Sequence, residues 1–140
     1  MPLTKSHVLS LFTHLTANQP ATFFAHVVDN VDWHVTGESH ALAGHWHSKE
    51  SFFRDSWMSV GPVLLRPMEL SVEGVIAEAD GRGLEGRACV EMRGKGVLGD
   101  GREYNNEYCW VVSFNEEGLI TKVRAYLDTA RLQNALKRND

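Results

Sequence analysis

Three histidines, His40, His45 and His47, crowd one stretch of the chain, with Trp46 between the last two. Imidazole changes charge near neutral pH without special help, and a His-x-His pair can ligate zinc or iron when a carboxylate or a third imidazole converges on it. The irregular spacing favours a solvated or pocket-rim loop, with no metal and no cofactor, in which His47 is a candidate acid or base. Asp32 and Asp128 are the other candidate bases; either needs burial to raise its carboxyl pKa far enough to take a proton. Asp128 also stands where a helix cap belongs. Tyr108, Arg124 and Tyr126 have the chemistry to orient a carbonyl or anionic oxygen, as one fixed cation and two phenols. Arg124 reads equally as a cross-strand partner of Glu91 or Glu107. Trp33 serves as core or as a pocket wall that stacks on a planar ligand. Glu91 and Arg93 read first as a solvated strand face and second as an acid/base–cation pair. Gly94-Lys95-Gly96-Val97-Leu98-Gly99 matches G-x-G-x-x-G, but no helix pattern follows, so it reads as a strand connection rather than a dinucleotide site.

The elements that must position these groups follow from hydrophobic period. Val8, Leu11, Phe12 and Leu15 share one helix face, and Asn18-Gln19-Pro20 stops that helix and starts a second, whose stripe is Phe23, Phe24, Val27 and Val28. Val31, Trp33 and Val35 alternate with Asp32, His34 and Thr36 as a half-buried strand. The span 37–47 reads as a loop. Ser48 caps a third helix running to about Ser59, before Gly61-Pro62. The second half reads as strands: 64–77 with a phase slip near Gly74, a hairpin signal at Asp80-Gly81, then 84–93, and a Gly-rich connection over 94–101. Asn106, Tyr108, Trp110, Val112 and Phe114 share one strand face. The last strand, 119–127, places Ile120, Arg124 and Tyr126 on one side and Val123, Ala125 and Leu127 on the other. Asp128 then caps a short helix, with Leu127 and Leu132 as a hydrophobic staple.

Helices grouped first and strands grouped later indicate an α+β fold, with a curved sheet wrapped around the N-terminal helices. A curled sheet with helices in its concavity leaves a pocket at the open end. The gradient from Val112 and Phe114 to Trp110, Tyr108 and Asn106 is what the wall of such a cavity looks like; the other reading of that face is a dimer surface.

The chain has 140 residues, a formal net charge of −4, 43% hydrophobic and 23% charged residues. That is one domain's worth of chain with enough apolar residues for a core. The mild acidity argues against sequence-independent nucleic-acid binding. No run approaches the ~20 apolar residues of a membrane span, and the first residues lack a leader's apolar run, so a cytoplasmic protein is expected. Cys89 and Cys109 read as free thiols.

Two stretches resemble the SnoaL-like branch of the NTF2-like (ketosteroid isomerase-like) superfamily. One is Val31-Asp32-Trp33-His34-Val35-Thr36-Gly37 followed by Leu42-Ala43-Gly44. The other is Asn106-Glu107-Tyr108-Cys109-Trp110, then Glu117-Gly118-Leu119-Ile120, then Arg124-Ala125-Tyr126-Leu127-Asp128. The resemblance implies a cone-shaped α+β barrel of cystatin-like or NTF2-like type, with five or six strands, and a hydrophobic, partly planar small-molecule ligand inside the cone. It is compatible with a cofactor-independent isomerase, cyclase or dehydratase using acid–base chemistry. It is equally compatible with a non-catalytic binding or dimerisation module. In that frame Trp33, Asn106, Tyr108, Trp110, Arg124 and Tyr126 would bind substrate, and Asp32, His47 or Asp128 would supply the base. A homodimer is expected through the outer sheet face, with Glu107, Cys109, Val111 and Ser113 beside Thr121, Val123 and Ala125, burying apolar area about a two-fold axis.

Overall fold

The fold was analysed in a computed structural model, which describes residues 2–37 and 42–136. Helix α1 (Lys5–Thr16) begins at Thr4, whose hydroxyl accepts from the His7 N–H at 3.2 Å. It ends at Asn18, which takes a left-handed φ of 57° just past the helix, a conformation Asn tolerates better than most residues. Pro20 opens α2 (Pro20–Phe24), and the chain then passes directly into β1 (Val27–Val35). Val27 and Val28, expected on the helix stripe, belong to this strand, where β-branched side chains pack better. Val27 pairs with Ile120.

A short strand β2 (Gly44–Trp46), inside the span read as loop, pairs antiparallel with the end of β1. Ser48 caps α3 (Lys49–Asp55), its side chain accepting from the Ser51 N–H at 3.1 Å. That helix is shorter than expected: the chain tightens into single turns over Trp57–Ser59 and Gly61–Val63. Strands β3 (Glu69–Ala79), β4 (Gly86–Val97), β5 (Glu103–Phe114) and β6 (Ile120–Leu127) follow, and α4 (Thr129–Leu136) closes the described chain.

The strands form one open sheet in the order β2-β1-β6-β5-β4-β3. Every neighbouring pair is antiparallel except β1 and β6. The sheet is therefore mixed, and the α+β expectation holds, with α1, α2 and α3 set against one face. The phase slip near Gly74 is real, as the register shifts between Val72 and Gly74. The first half of the Gly-rich stretch read as a connection is strand, since β4 runs to Val97 and pairs Gly94 with Asn106 and Gly96 with Tyr104.

A second irregularity corrects the reading of β6. Phe114 pairs with Ile120 but Ser113 pairs with Lys122, so Thr121 is an extra residue in the ladder. One inserted residue flips the phase of everything after it. Ile120, Val123 and Ala125 are consequently all buried, while Arg124 and Tyr126 are exposed on the convex face. The expected outer pairing of Val123 and Ala125 is likewise corrected; Lys122, Arg124 and Tyr126 take those places.

The main core lies between the helices and the concave face. Phe12 is fully buried and meets Phe23 edge-on at 5.1 Å and Trp110 at 5.9 Å. Phe12→Ala should cost ~3–5 kcal/mol of stability by denaturant unfolding, because the surrounding rings cannot collapse fully into the void. Leu9→Ala, on the solvent side of the same helix, should stay within ~0.5 kcal/mol.

Candidate functional site

Trp33 is the centre of the concave wall. It is fully buried, stacked on Phe52 at 4.0 Å with a 15° interplanar angle, and edge-on to Trp110 at 5.3 Å. Trp46 lies opposite Trp33 in the β1–β2 ladder and meets Phe52 edge-on at 5.5 Å. The Trp33 indole N–H is buried and has no partner among the described residues.

Beyond this cluster the concave face opens into a cavity of about 700 Å³. Trp33, Trp110, Tyr108, Met92 and Ala125 supply the sheet wall, Phe52 and Trp57 the wall from α3 and the turn after it, and Leu132 the wall from α4. Met58 and Leu65 are more than half exposed and, with Arg66, border the side open to solvent. Such a volume suits a small organic molecule.

Among the polar groups at this cavity, Tyr104 and Tyr108 belong to one hydrogen-bonded series. The Tyr104 and Tyr108 hydroxyls lie 3.0 Å apart, and Asn106 Nδ2 donates to the Tyr104 hydroxyl at 2.8 Å. Asn106 Nδ2 also donates to the Asp128 carbonyl at 3.1 Å, while its Oδ1 accepts from the Glu107 N–H at 2.8 Å and the Asp128 N–H at 3.3 Å. Both donors and both acceptor positions of Asn106 are thus in use. Asn106 ties β5 to the start of α4 and does not line the cavity. Tyr108 packs against a gap in β4: a Cβ on Gly94 would stand 3.0 Å from its ring and 2.7 Å from Met68 Sδ. Burial, reinforced by the neighbouring Tyr104 phenol, pushes the Tyr108 hydroxyl far above its ordinary pKa. It is therefore a neutral donor at any physiological pH and not a base.

Of the remaining candidates, Arg124 and Tyr126 project from the convex face and do not line the cavity. Asp32 and His47 also face away from it. Asp32 alternates with the inward Trp33 and accepts a hydrogen bond from His45 Nε2, which holds its carboxyl below the ordinary value. The Asp128 carboxylate caps α4, accepting from the Arg131 N–H at 3.1 Å and pairing with the Arg131 guanidinium at 3.4 Å. Arg93 is engaged outside the cone by Glu107 at 2.9 Å and Glu73 at 3.8 Å. His40 lies outside the described residues. Three contributors escaped sequence reasoning: Ser56, Met68 and the rim 57–66. Only the glycines at i and i+2 in β4 signalled a strand face cleared for larger neighbours.

No family model matches the sequence, and no curated protein matches it. Among solved structures, the chain is similar to an NTF2-like protein from Burkholderia thailandensis, with a TM-score of 0.77 at 15% identity over 95% of this chain and 96% of that one. The chain has the NTF2-like fold. Bal32a, from a soil-derived mobile gene cassette, shares that fold with a TM-score of 0.76 at 18% identity, over 94% of this chain and 95% of its own. TerC, co-crystallised with polyporic acid, does so with a TM-score of 0.72 at 14% identity, over 93% and 95%. No helix among the described residues is long and apolar enough to cross a membrane.

Within this NTF2-like scaffold, the raised Tyr108 pKa makes a spectroscopic prediction. A folded-state pKa above the unfolded value near ~10 adds stability that is complete below pH ~10 and falls as pH rises beyond it, because the unfolded phenol ionises first. Phenolate absorbance should therefore show one tyrosine that ionises only as the protein unfolds in alkali, and this component should vanish in Tyr108→Phe.

Proposed function

We propose that the protein binds an apolar, partly planar small molecule inside the cone, oriented by a hydrogen bond from Tyr108 to an oxygen of the ligand. The observation that carries this reading is the cavity itself: stacked and edge-on aromatic walls around a space of about 700 Å³, with a linked pair of phenols as its principal polar feature. Aromatic faces attract flat ring systems, and a few placed donors fix their orientation. The co-crystallisation of TerC, a protein of the same fold, with polyporic acid supports a small-molecule role.

Acid–base isomerisation, cyclisation or dehydration is the competing reading. Proton abstraction next to a carbonyl needs a base within hydrogen-bond reach of the substrate. The described cavity wall offers donors, and Asp32, His45, His47 and Asp128, the described carboxylates and imidazoles among the candidates, are placed elsewhere. The geometry therefore favours binding without chemistry.

Titration with naphthalene and with 1,4-naphthoquinone, followed by quenching of the cavity tryptophans, tests this. Saturable one-to-one binding of both is expected. Tyr108→Phe should weaken the quinone by about 2–13-fold, the worth of ~0.5–1.5 kcal/mol for one hydrogen bond, and leave naphthalene unchanged. Absence of saturable binding would overturn the proposal. Enzyme-dependent deuterium exchange next to the carbonyl of a bound flat ketone would overturn its non-catalytic half.

We further propose that two copies pair through the convex face. Ile76 is 71% exposed there, level with Cys89 and Val111 across the ladder. Light scattering at micromolar concentration should give twice the chain mass for the wild type and a single-chain mass for Val111→Lys; a single-chain mass for the wild type would refute the pairing.

A further inference from the structure

The strand alternation that turns Trp33 and Trp46 inward turns a different set of side chains outward. His34 and His45 are directly opposite in the β1–β2 ladder, so they share the convex face, and Asp32 lies two residues before His34 in the same phase. His47 is two residues beyond His45. The His34 and His45 rings are 5.1 Å apart, and the His45 and His47 rings 4.5 Å. One donor atom each from Asp32, His45 and His47 lies within 4.8 Å of the other two.

We propose that Asp32, His45 and His47 form a binding site for a divalent transition-metal cation, Zn²⁺ in the first instance. Two imidazoles and one carboxylate are a donor set that suits zinc and the neighbouring late transition metals, whereas magnesium and calcium prefer oxygen throughout. A tetrahedral zinc with bonds of ~2.0–2.1 Å spaces its ligand atoms by roughly 3.4 Å. To reach that spacing the exposed His45 and His47 rings must turn, and the hydrogen bond between His45 Nε2 and Asp32 must open, because its two atoms stand closer than ligands of one metal do. The fourth position faces solvent and goes to water. The hydrogen bond between Asp32 and His45 accounts for two of the three groups; it does not account for a second imidazole packed against the first. A shared cation accounts for all three.

The placement also says what the ion would do. β2 is an edge strand of three residues, and His47 lies just beyond it, immediately before the Ser48 cap of α3. A metal held from β1 and from both sides of Trp46 would pin β2, and with it the entry to the helix that carries Phe52. The ion would sit on the opposite side of the sheet from the cavity, so its role is to fasten that wall, not to act on a ligand within it. Lys122 is opposite Asp32 in the β1–β6 pairing and contributes positive charge beside the site. It should weaken binding without abolishing it.

The test is a Zn²⁺ titration of the untagged protein in competition with a chromophoric chelator. One equivalent should bind. His47→Ala, His45→Ala and Asp32→Asn should each weaken it by roughly tenfold or more, and Lys122→Gln should tighten it. His14→Ala disrupts the other histidine pair, stacked on His26 at 5.8 Å, and should leave binding unchanged. With Co²⁺, the protein should show the visible bands of a four-coordinate site, and His47→Cys should add a thiolate charge-transfer band, an outcome that does not depend on losing a signal. Binding of no Zn²⁺, binding insensitive to His47→Ala, or binding lost in His14→Ala would each overturn the proposal.

Discussion

The Trp33 indole, pressed against Phe52 at 4.0 Å and edge-on to Trp110 at 5.3 Å, is the contact on which the rest of the arrangement depends. It joins α3 to the sheet and joins β1 to β5 across the intervening β6. Because a strand alternates strictly, committing Trp33 to the interior also commits Asp32 and His34 to the exterior. The antiparallel ladder then repeats the choice on β2, with Trp46 inward and His45 outward. One apolar burial therefore divides the polar residues of this region into those that can meet a ligand in the cone and those that cannot.

That division explains what the sequence could and could not reveal. Hydrophobic period located α1, the inward faces of β1 and β5, and the slip near Gly74, because in each the apolar residues recur at the element's own spacing over several turns or pairs. It failed on β6. There the apolar positions Ile120, Val123, Ala125 and Leu127 break strict alternation by one step, and the inserted Thr121 becomes visible only when the strand is laid against β5. Reading outward from Ile120 puts Arg124 and Tyr126 inside; reading back from Leu127 puts them outside. The same short range hid β2, whose three residues carry too little pattern to be distinguished from loop, and the Met58–Leu65 rim, whose role comes from distant strands.

The candidate site shows the same asymmetry. Trp33, Tyr108 and Trp110 announced themselves as large rings on faces that also carried aliphatic core residues, and the cavity wall is made of such rings. Asn106 has the right face and the wrong availability. Its amide is saturated by Tyr104, by the Glu107 N–H and by both backbone groups of Asp128, so its hydrogen-bonding capacity is spent on holding α4 against β5. Sequence gives a side chain's capacity to bond; only the assembled partners show how much of it is left.

What Asn106 leaves available is direction. The Tyr104 oxygen already accepts from Asn106, so its own proton is free to go to Tyr108, 3.0 Å away. The Tyr108 hydroxyl then has a proton to give, and its only weak competitor in that chain is the Met68 sulfur at 3.8 Å. A ligand oxygen at Tyr108 completes a series in which each hydroxyl accepts on one side and donates on the other, an arrangement in which neighbouring bonds polarise one another. Burial prevents Tyr108 from ionising, so the series can deliver a hydrogen bond but not take up a proton. Such a chain fixes the position of an oxygen on a flat apolar molecule. It would serve catalysis only if a base were brought to the opposite side of that molecule, and the described lining residues include no carboxylate and no imidazole.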